Sequence, residues 1–165
     1  MRRIPVRKQN ESKRKGAAMV EFAVIAPVFL ALVLGTIEMG TALKVSNTLT
    51  SGIRGGGRLA SMDWEGIVPD GMTTNAKVIE DIENFLAASN LPVDDVTVTI
   101  TSAEGEDEGA PFDLTDPDNR LRLFKITAEV PYSAISLYPS HFMTGQVIKA
   151  AIVFRAGRVQ MMMES

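Results

Sequence analysis

AAMVEFAVIAPVFLALVLGTI, residues 17–37, is the most apolar stretch of this 165-residue sequence. It contains one charged side chain, Glu21, and no charge interrupts the run from Phe22 to Ile37. A bilayer core about 30 Å thick needs roughly 20 helical residues at ~1.5 Å rise each. The stretch is therefore long enough to span a membrane as one helix, which we place at residues 17–37.

The charges on either side of this stretch are unequal. Residues 1–16 carry seven Lys or Arg and one Glu, whereas the rest of the chain carries ten basic and nineteen acidic residues. Basic residues beside an apolar helix hold that end in the cytoplasm. We therefore predict a cytoplasmic basic leader, residues 1–16, and a chain that lies outside the cytoplasm from about Glu38 onward. A basic head on an acidic body favours membrane orientation over nucleic-acid binding.

Two other interpretations of the apolar stretch remain open. A buried core helix of a soluble protein has a similar composition, although the adjacent basic segment favours the membrane. A cleaved signal peptide has an apolar region of about 7–15 residues, shorter than this one. Its small-x-small cleavage site has no convincing match here, because Gly40-Thr-Ala42 lies beyond Glu38. A permanent single-pass anchor fits better, with a bend at Pro27 that neighbouring helices accommodate.

The composition excludes several classes of site. The chain has no cysteine, and therefore no disulfide, thiolate zinc site or cysteine nucleophile. Its single histidine, His141, cannot build a multi-histidine metal site, and no nucleophile motif accompanies it. We predict no catalytic residue, no cofactor and no metal ligand, and do not expect an enzyme.

The position of Glu21 needs an explanation beyond anchoring. A charged side chain costs about 2.5–3.5 kcal/mol at the bilayer centre and less near the interface. The simpler interpretation is a solvated carboxylate one turn inside the headgroups. The more specific one comes from its context, KGAAMVEF over residues 15–22. This resembles prepilins, which a membrane-embedded aspartic peptidase cuts after the glycine.

Cleavage after Gly16 would free the α-amine of Ala17, a cation with a pKa of about 7.7–8.0. Glu21 lies one helical turn further along and, in a filament, could also face the amine of an adjacent subunit. Pairing makes two charges tolerable in an apolar phase and fixes the register between subunits.

Further along, the sequence resembles TadE-like proteins, minor pilins of the tight-adherence (Tad) pilus. The shared features are the Glu21-Phe22 pair, Pro27 within the helix, and the exit GTIEMG at residues 35–40. The resemblance continues through residues 48–61, where Gly55 and Gly57 replace the family's usual Glu and Ala. It is firm over residues 14–61 and faint afterwards.

This resemblance implies a structural subunit of pilus assembly and adhesion. Gly16 and Ala17 would form the processing site, and Glu21, Phe22 and Pro27 would serve assembly and recognition. The implied partners are a prepilin peptidase, other pilins or pseudopilins, the Tad assembly platform and membrane lipid. The implied location is the bacterial inner membrane, with the outer domain in the periplasm or the surface pilus. The alternative is an unprocessed single-pass anchor carrying a binding or sensory domain, and a tethered enzyme ranks third.

The rest of the chain predicts an α+β fold, with the long N-terminal transmembrane helix followed by a small helix-covered antiparallel sheet. A helix extension is expected over residues 38–62, with Ile37, Val45, Leu49 and Ile53 near one face. The Gly55-Gly-Gly57 run should weaken or bend it near its end. The extracytoplasmic domain is expected over residues 63–165.

Periodicity places the elements of that domain. Residues 73–75 can cap a second helix with one apolar face, and strands are expected over residues 96–101, 120–130 and 146–155. The side chains expected on the buried faces are Val78, Ile79, Ile82, Phe85 and Leu86 of the helix, and Phe124, Ile126, Ala128, Val130, Ile148, Ala150, Ile152 and Phe154 of the strands.

Three polar or apolar motifs have two interpretations each. The loop of residues 104–119 holds seven acidic residues and no basic one. It either binds calcium or is a solvated, mobile hairpin loop. The hairpin loop is preferred, because it requires fewer assumptions. Arg54-Gly-Gly-Gly-Arg58 lacks the spacing of a phosphate loop, so a flexible helix segment or packing contact is preferred. The tail Met161-Met-Met163 is either an adhesive apolar patch or a disordered terminus, of which the latter is preferred.

Overall fold

The computed structural model describes residues 10–62, 68–69, 71–136 and 145–157, with side chains from Gly16 onward. The chain divides into two units, Met1–Gly40 and Thr41–Ser165. His141 and the Met161-Met-Met163 tail lie outside the described residues.

Helix α1, Asn10–Ala60, contains Pro27 and belongs to both units. Its later turns carry the predicted apolar face, because Val45, Leu49 and Ile53 are buried at 5%, 0% and 0% exposure. Ile37, expected on that face, is 43% exposed and lies in the first unit. The Gly55-Gly-Gly57 run was expected to weaken or bend the helix near its end; α1 continues through the run and ends three residues later, at Ala60.

Two glycines of that run are packing positions. A methyl group on Gly56 would overlap the side chain of Ile82, and one on Gly57 would overlap the ring of Phe154. Gly55 has nothing within 4 Å of where its methyl would lie. The bare backbone at Gly56 and Gly57 therefore lets the core approach α1 closely, which offsets the propensity cost of glycine in a helix.

Helix α2, Thr74–Ala88, begins as predicted. The Thr73 hydroxyl accepts a hydrogen bond from the Ala76 N–H at 3.1 Å, which satisfies one of the first free amides of the helix. Val78, Ile82 and Leu86 form its buried face. Phe85, expected on that face, is 44% exposed.

The second unit contains a three-stranded antiparallel sheet of β1 (Thr97–Ser102), β2 (Leu123–Pro131) and β3 (Val147–Arg155), in the order β1-β2-β3. Ile126 lies opposite both Ile100 and Ile152. A short helix α3, Tyr132–Ile135, follows β2, and single 3-10 turns lie at Val93–Asp95 and Pro117–Asn119. The predicted α+β class is confirmed.

The predicted inward faces of β2 and β3 line the core. Phe124, Ile126, Ala128 and Val130 are fully buried, and the predicted residues of β3 are buried or packed against the same cluster. The Phe124 ring stacks between Phe112 and Phe154, with centroids 5.4 and 5.8 Å away.

Candidate membrane and assembly segment

The first unit exposes its apolar side chains. Large apolar residues along this part of α1 are between 38% and 76% exposed: Met19, Val20, Phe22, Val24, Ile25, Val28, Phe29, Leu30, Leu32, Val33, Leu34, Ile37 and Met39. Contiguous apolar surface of this extent is typical of a membrane or protein contact. The segment Gly16–Ala60 is also the one helix, among the described residues, long and apolar enough to cross a membrane, with a mean hydropathy of 2.5 in its most apolar window.

The predicted processing residues lie inside this helix. Gly16 and Ala17 are both exposed, and a methyl group on Gly16 would meet nothing within 4 Å. Glu21 is also exposed and lies four residues after Ala17 in the helix. Residues four apart share one face of a helix. The structure therefore places Ala17 and Glu21 as neighbours along one face, with Phe22 73% exposed beside them.

Pro27 leaves a backbone group of the apolar helix without its usual partner. Proline has no N–H, so the Ala23 carbonyl lacks its i+4 donor within the helix. Further along, the Thr36 hydroxyl donates to the Leu32 carbonyl at 2.8 Å, which satisfies a hydroxyl within the apolar run. The polar features of the segment are thus concentrated at its start, at Pro27 and at its exit.

The acidic loop was the candidate calcium site. Arg122, which follows the loop, binds two of its carboxylates. The Arg122 guanidinium donates to both carboxylate oxygens of Asp107 at 2.8 Å, and its Nε lies 3.9 Å from Glu104 Oε1. The hydrogen bond from Arg122 lowers the pKa of the Asp107 carboxyl below its usual range. Within the described part of the chain, no group of three acidic or histidine side chains converges to hold a metal ion.

Asn75 fixes the same loop from α2. Its amide nitrogen donates to the Phe112 carbonyl at 2.6 Å, and its side-chain oxygen accepts from the Leu114 N–H at 2.9 Å. Phe112 is 2% exposed and packs into the core. Most residues of the loop are solvent-exposed, as expected of a solvated hairpin loop, but the loop is also hydrogen-bonded to the sheet and to α2.

Sequence reasoning missed both of these residues for identifiable reasons. Asn75 appeared only as part of a helix cap, since the sequence separation from Phe112 hides their contact. Arg122 follows the acidic run and was assigned to a strand. The alternation of Phe112 and Leu114 within an otherwise polar loop is the signal that could have indicated a packed segment.

The segment Arg54-Gly-Gly-Gly-Arg58 is helical, as the sequence analysis preferred over a phosphate loop. Residues 54–58 lie within α1, where backbone N–H groups are engaged in the helix and unavailable to an anion.

Comparison with known proteins supports the membrane segment. The model of the TadE-like protein family matches residues 16–58, which contain the apolar run and the buried turns of α1 that follow it. No curated protein and no solved structure matches the chain.

Proposed function

We propose, from the premise that residues 16–58 form a TadE-like segment, that this chain is a structural minor pilin of a Tad-type pilus. In this proposal a prepilin peptidase removes residues 1–16, and the mature chain joins other pilins or pseudopilins and the assembly platform. The TadE-like family indicates a Tad pilus-associated protein, and the processed minor subunit is our refinement of it.

The exposed apolar surface of the first unit carries this proposal. A soluble domain would have to hide the large side chains of residues 19–39, most of which are more than half exposed. Lipid covers such a surface before assembly, and the apolar helices of neighbouring subunits cover it in a filament. An anchor that only tethered a domain would also be apolar. The carboxylate at Glu21 and the basic leader before Gly16 favour the pilin.

Leader removal gives Glu21 a partner. Cleavage between Gly16 and Ala17 creates an ammonium one helical turn from the Glu21 carboxylate, on the same helix face. Within one chain the two charges offset each other's desolvation, and between adjacent chains the same pair sets the axial register. Phe22 and Pro27 serve assembly here, Phe22 as an exposed ring and Pro27 through the carbonyl that it leaves without a helical donor.

The first experiment determines the mature N-terminus. We expect N-terminal sequencing or intact-mass measurement of the protein extracted from piliated cells to give a chain that begins at Ala17. Gly16→Ala tests whether the prepilin peptidase requires glycine immediately before the cleavage site. Gly35→Ala, on the same exposed helix, is the matched control. A chain beginning at Met1 in cells that express the peptidase would support the unprocessed anchor, and one beginning near Thr41 would indicate a signal peptide.

The second experiment tests topology. Protease added to spheroplasts should digest the outer domain at the exposed residues 105–111 and spare an epitope in the leader. Protection of the outer domain until the membrane is lysed would contradict the proposed orientation.

The third experiment tests the role of Glu21. Glu21→Gln keeps the size of the side chain and removes the charge, so the variant should insert, be processed and accumulate. It should fail to support pili in a deletion strain, because the Ala17 ammonium loses its partner in the subunit contact. Glu21→Asp should restore part of the piliation, and Glu38→Gln controls for loss of a carboxylate elsewhere on α1. Full piliation by Glu21→Gln with normal processing would refute the pairing.

The alternative function is an unprocessed single-pass anchor that presents the second unit as a binding or sensory domain. It predicts a retained leader and no effect of Glu21→Gln on any pilus. The N-terminus of the purified chain therefore separates the two functions directly.

A further inference from the structure

The two edges of the sheet differ in how their backbone groups are satisfied. At the β1 edge, the Ser102 N–H donates to the Ala110 carbonyl at 2.8 Å and the Ser102 carbonyl accepts from the Gly109 N–H at 2.9 Å. The Phe112 N–H donates to the Ile100 carbonyl at 3.2 Å. The acidic loop thus folds back along the end of β1 and covers that edge at Ile100 and Ser102.

The β3 edge has no such cover among the described residues. The sheet ends at β3 there, and no backbone hydrogen bond from outside the sheet reaches residues 147–155 in that part of the chain. β3 is nine residues long. A long edge strand with free amides and carbonyls is a template for pairing with another strand.

The hydrogen-bond pattern identifies which groups of β3 point outward. The Tyr132 N–H donates to the Gln146 carbonyl at 2.8 Å, and the Ala156 N–H donates to the Arg122 carbonyl at 2.9 Å. Residues of an antiparallel strand alternate between bonding to one neighbour and pointing to the other side. The even-numbered residues of β3 therefore bond to β2, and the outward set is Val147, Lys149, Ala151, Val153 and Arg155.

We propose that β3 pairs antiparallel with β3 of a second copy of this chain, about a two-fold axis at Ala151, to form one six-stranded sheet. This register overlaps all nine residues of both strands and brings the outward groups of each copy together, about ten backbone hydrogen bonds in the antiparallel pattern. The proposal goes beyond the pilin assignment and does not depend on leader removal.

The side chains favour this register over its neighbours. With Ala151 at the axis, Lys149 lies opposite Val153 of the second copy and Arg155 lies opposite Val147, so no two cations face each other. A shift of two residues in one direction sets Lys149 opposite Arg155, and like charges directly opposite are destabilising. A shift in the other direction leaves Arg155 without a strand residue opposite.

Charge and exposure on the outer face are compatible with the contact. The Lys149 ammonium lies 2.6 Å from Glu129 on β2, so its charge is already balanced within its own sheet. Val147 and Val153 are 52% and 51% exposed and would be covered in part by the cross-strand side chains of the second copy. Membrane anchoring raises the effective concentration of such a partner, so a small interface suffices.

The absence of native cysteine allows a clean cross-linking test on the full-length chain in lipid vesicles. Ala151→Cys places two thiols on the axis, where directly opposed Cα atoms lie about 5.5 Å apart, within the range for a disulfide. Val153→Cys lies on the same strand and face and is also exposed, but its two copies would lie four residues apart along the strands, about 14 Å at ~3.4 Å per residue. We expect about tenfold more disulfide dimer for Ala151→Cys than for Val153→Cys, because the latter separation exceeds disulfide reach.

A second measurement leaves Ala151 unchanged. Lys149→Cys and Val153→Cys chains carrying different tags should form a mixed disulfide, because those positions face each other in the proposed register. Adding Ala151→Lys to both chains should lower that product about fivefold through the like charges on the axis. Adding Thr99→Lys, on the other edge strand, should leave it unchanged.

Each result bears on the proposal. Equal cross-linking at positions 151 and 153 would indicate random collision and overturn it. A dimer through Val153→Cys but not Ala151→Cys would assign a different register and also overturn it. Both measurements use the uncleaved chain, so they can fail while the pilin function holds, and the reverse is also true.

Discussion

The two parts of α1 have similar backbones and opposite surroundings. Residues 16–40 expose large apolar side chains, whereas Val45, Leu49 and Ile53 are buried in the second unit. Small residues distinguish the later turns, because Gly56 and Gly57 admit Ile82 and Phe154 against the helix backbone. An apolar helical sequence therefore does not by itself determine its environment. Closely spaced glycines indicate protein packing, and an unbroken run of large side chains indicates lipid or other subunits.

The largest expected effect comes from the same charge placed in each part. Leu30 and Leu43 are 57% and 59% exposed, so accessibility in the isolated chain does not distinguish them. Leu30→Arg should prevent most membrane integration, since a charge at the centre of a spanning helix costs about 2.5–3.5 kcal/mol. Leu43→Arg, beyond the predicted span, should integrate normally.

Carbonate extraction of membranes from cells that express each variant measures this difference. Equal integration of both variants would mean that residues 17–37 are not the membrane span, and the comparison between the two parts of α1 would lose its basis.

The next effect tests the glycines. Gly56→Ala should lower the free energy of unfolding of the second unit by about 1–3 kcal/mol, because the added methyl overpacks against the buried Ile82 side chain. Gly55→Ala is the matched control, with the same substitution one residue earlier and open space around it. It should raise stability by about 0.5–1 kcal/mol through helix propensity.

Denaturant unfolding of the full chain in detergent, followed by the backbone amide NMR signals of the second unit, compares the two variants. Loss of stability in both would show that the glycines act through helix flexibility and not through close packing.

These glycines also show where the sequence was informative. Periodicity predicted the strands, the buried faces of β2 and β3, and the Thr73 cap, because each depends on residues close in sequence. It left Gly55-Gly-Gly57 open between a flexible helix segment and a packing contact, because the cost of glycine is a local property whereas the contacts with Ile82 and Phe154 involve distant residues. The prediction that Phe85 is buried was wrong for a similar reason. Its position fits the apolar face of α2, but its ring lies at the margin of the contact with α1, 44% exposed.

The candidate functional residues also differ in whether the sequence alone could reveal them. The Gly16, Ala17 and Glu21 pattern is local and readable from the sequence, and the family match covers it. The bonding of the acidic loop by Asn75 and Arg122 joins residues up to 39 positions apart, which no local pattern reveals.

A smaller effect is expected at Asn75, which lies entirely within the second unit. Asn75→Ala removes the hydrogen bonds to the Phe112 carbonyl and the Leu114 N–H, and should lower stability by about 1–2 kcal/mol. Membrane integration should not change, because the first unit is untouched. Asn90→Ala is an unsuitable control, since Asn90 has a φ of 65°, whereas Asn47→Ala on the exposed side of α1 changes an amide without that strain.

Hydrogen exchange of the Leu114 amide provides a local measurement for Asn75→Ala. Unchanged protection of Leu114 in this variant would mean that the loop is held by Phe112 packing alone.

The smallest effect is the pH dependence of the Arg122–Asp107 pair. Its hydrogen bond lowers the pKa of Asp107 in the folded chain, so the contribution of this pair to stability is present above the ordinary pKa of an aspartate and is lost as the pH falls through the lower folded value. Arg122→Gln should therefore raise the pKa of Asp107 toward its ordinary range and flatten the acid side of the stability profile. Arg120→Gln, at an exposed neighbouring arginine, should leave both unchanged. Because Asp107 is solvent-exposed, the change in stability should be small and reduced by salt.

Carbon-13 NMR titration of the Asp107 carboxyl measures the pKa directly. An Asp107 pKa that is the same with and without Arg122 would show that the ion pair does not contribute to holding the loop. The loop would then be held by Asn75 and by its backbone hydrogen bonds to β1.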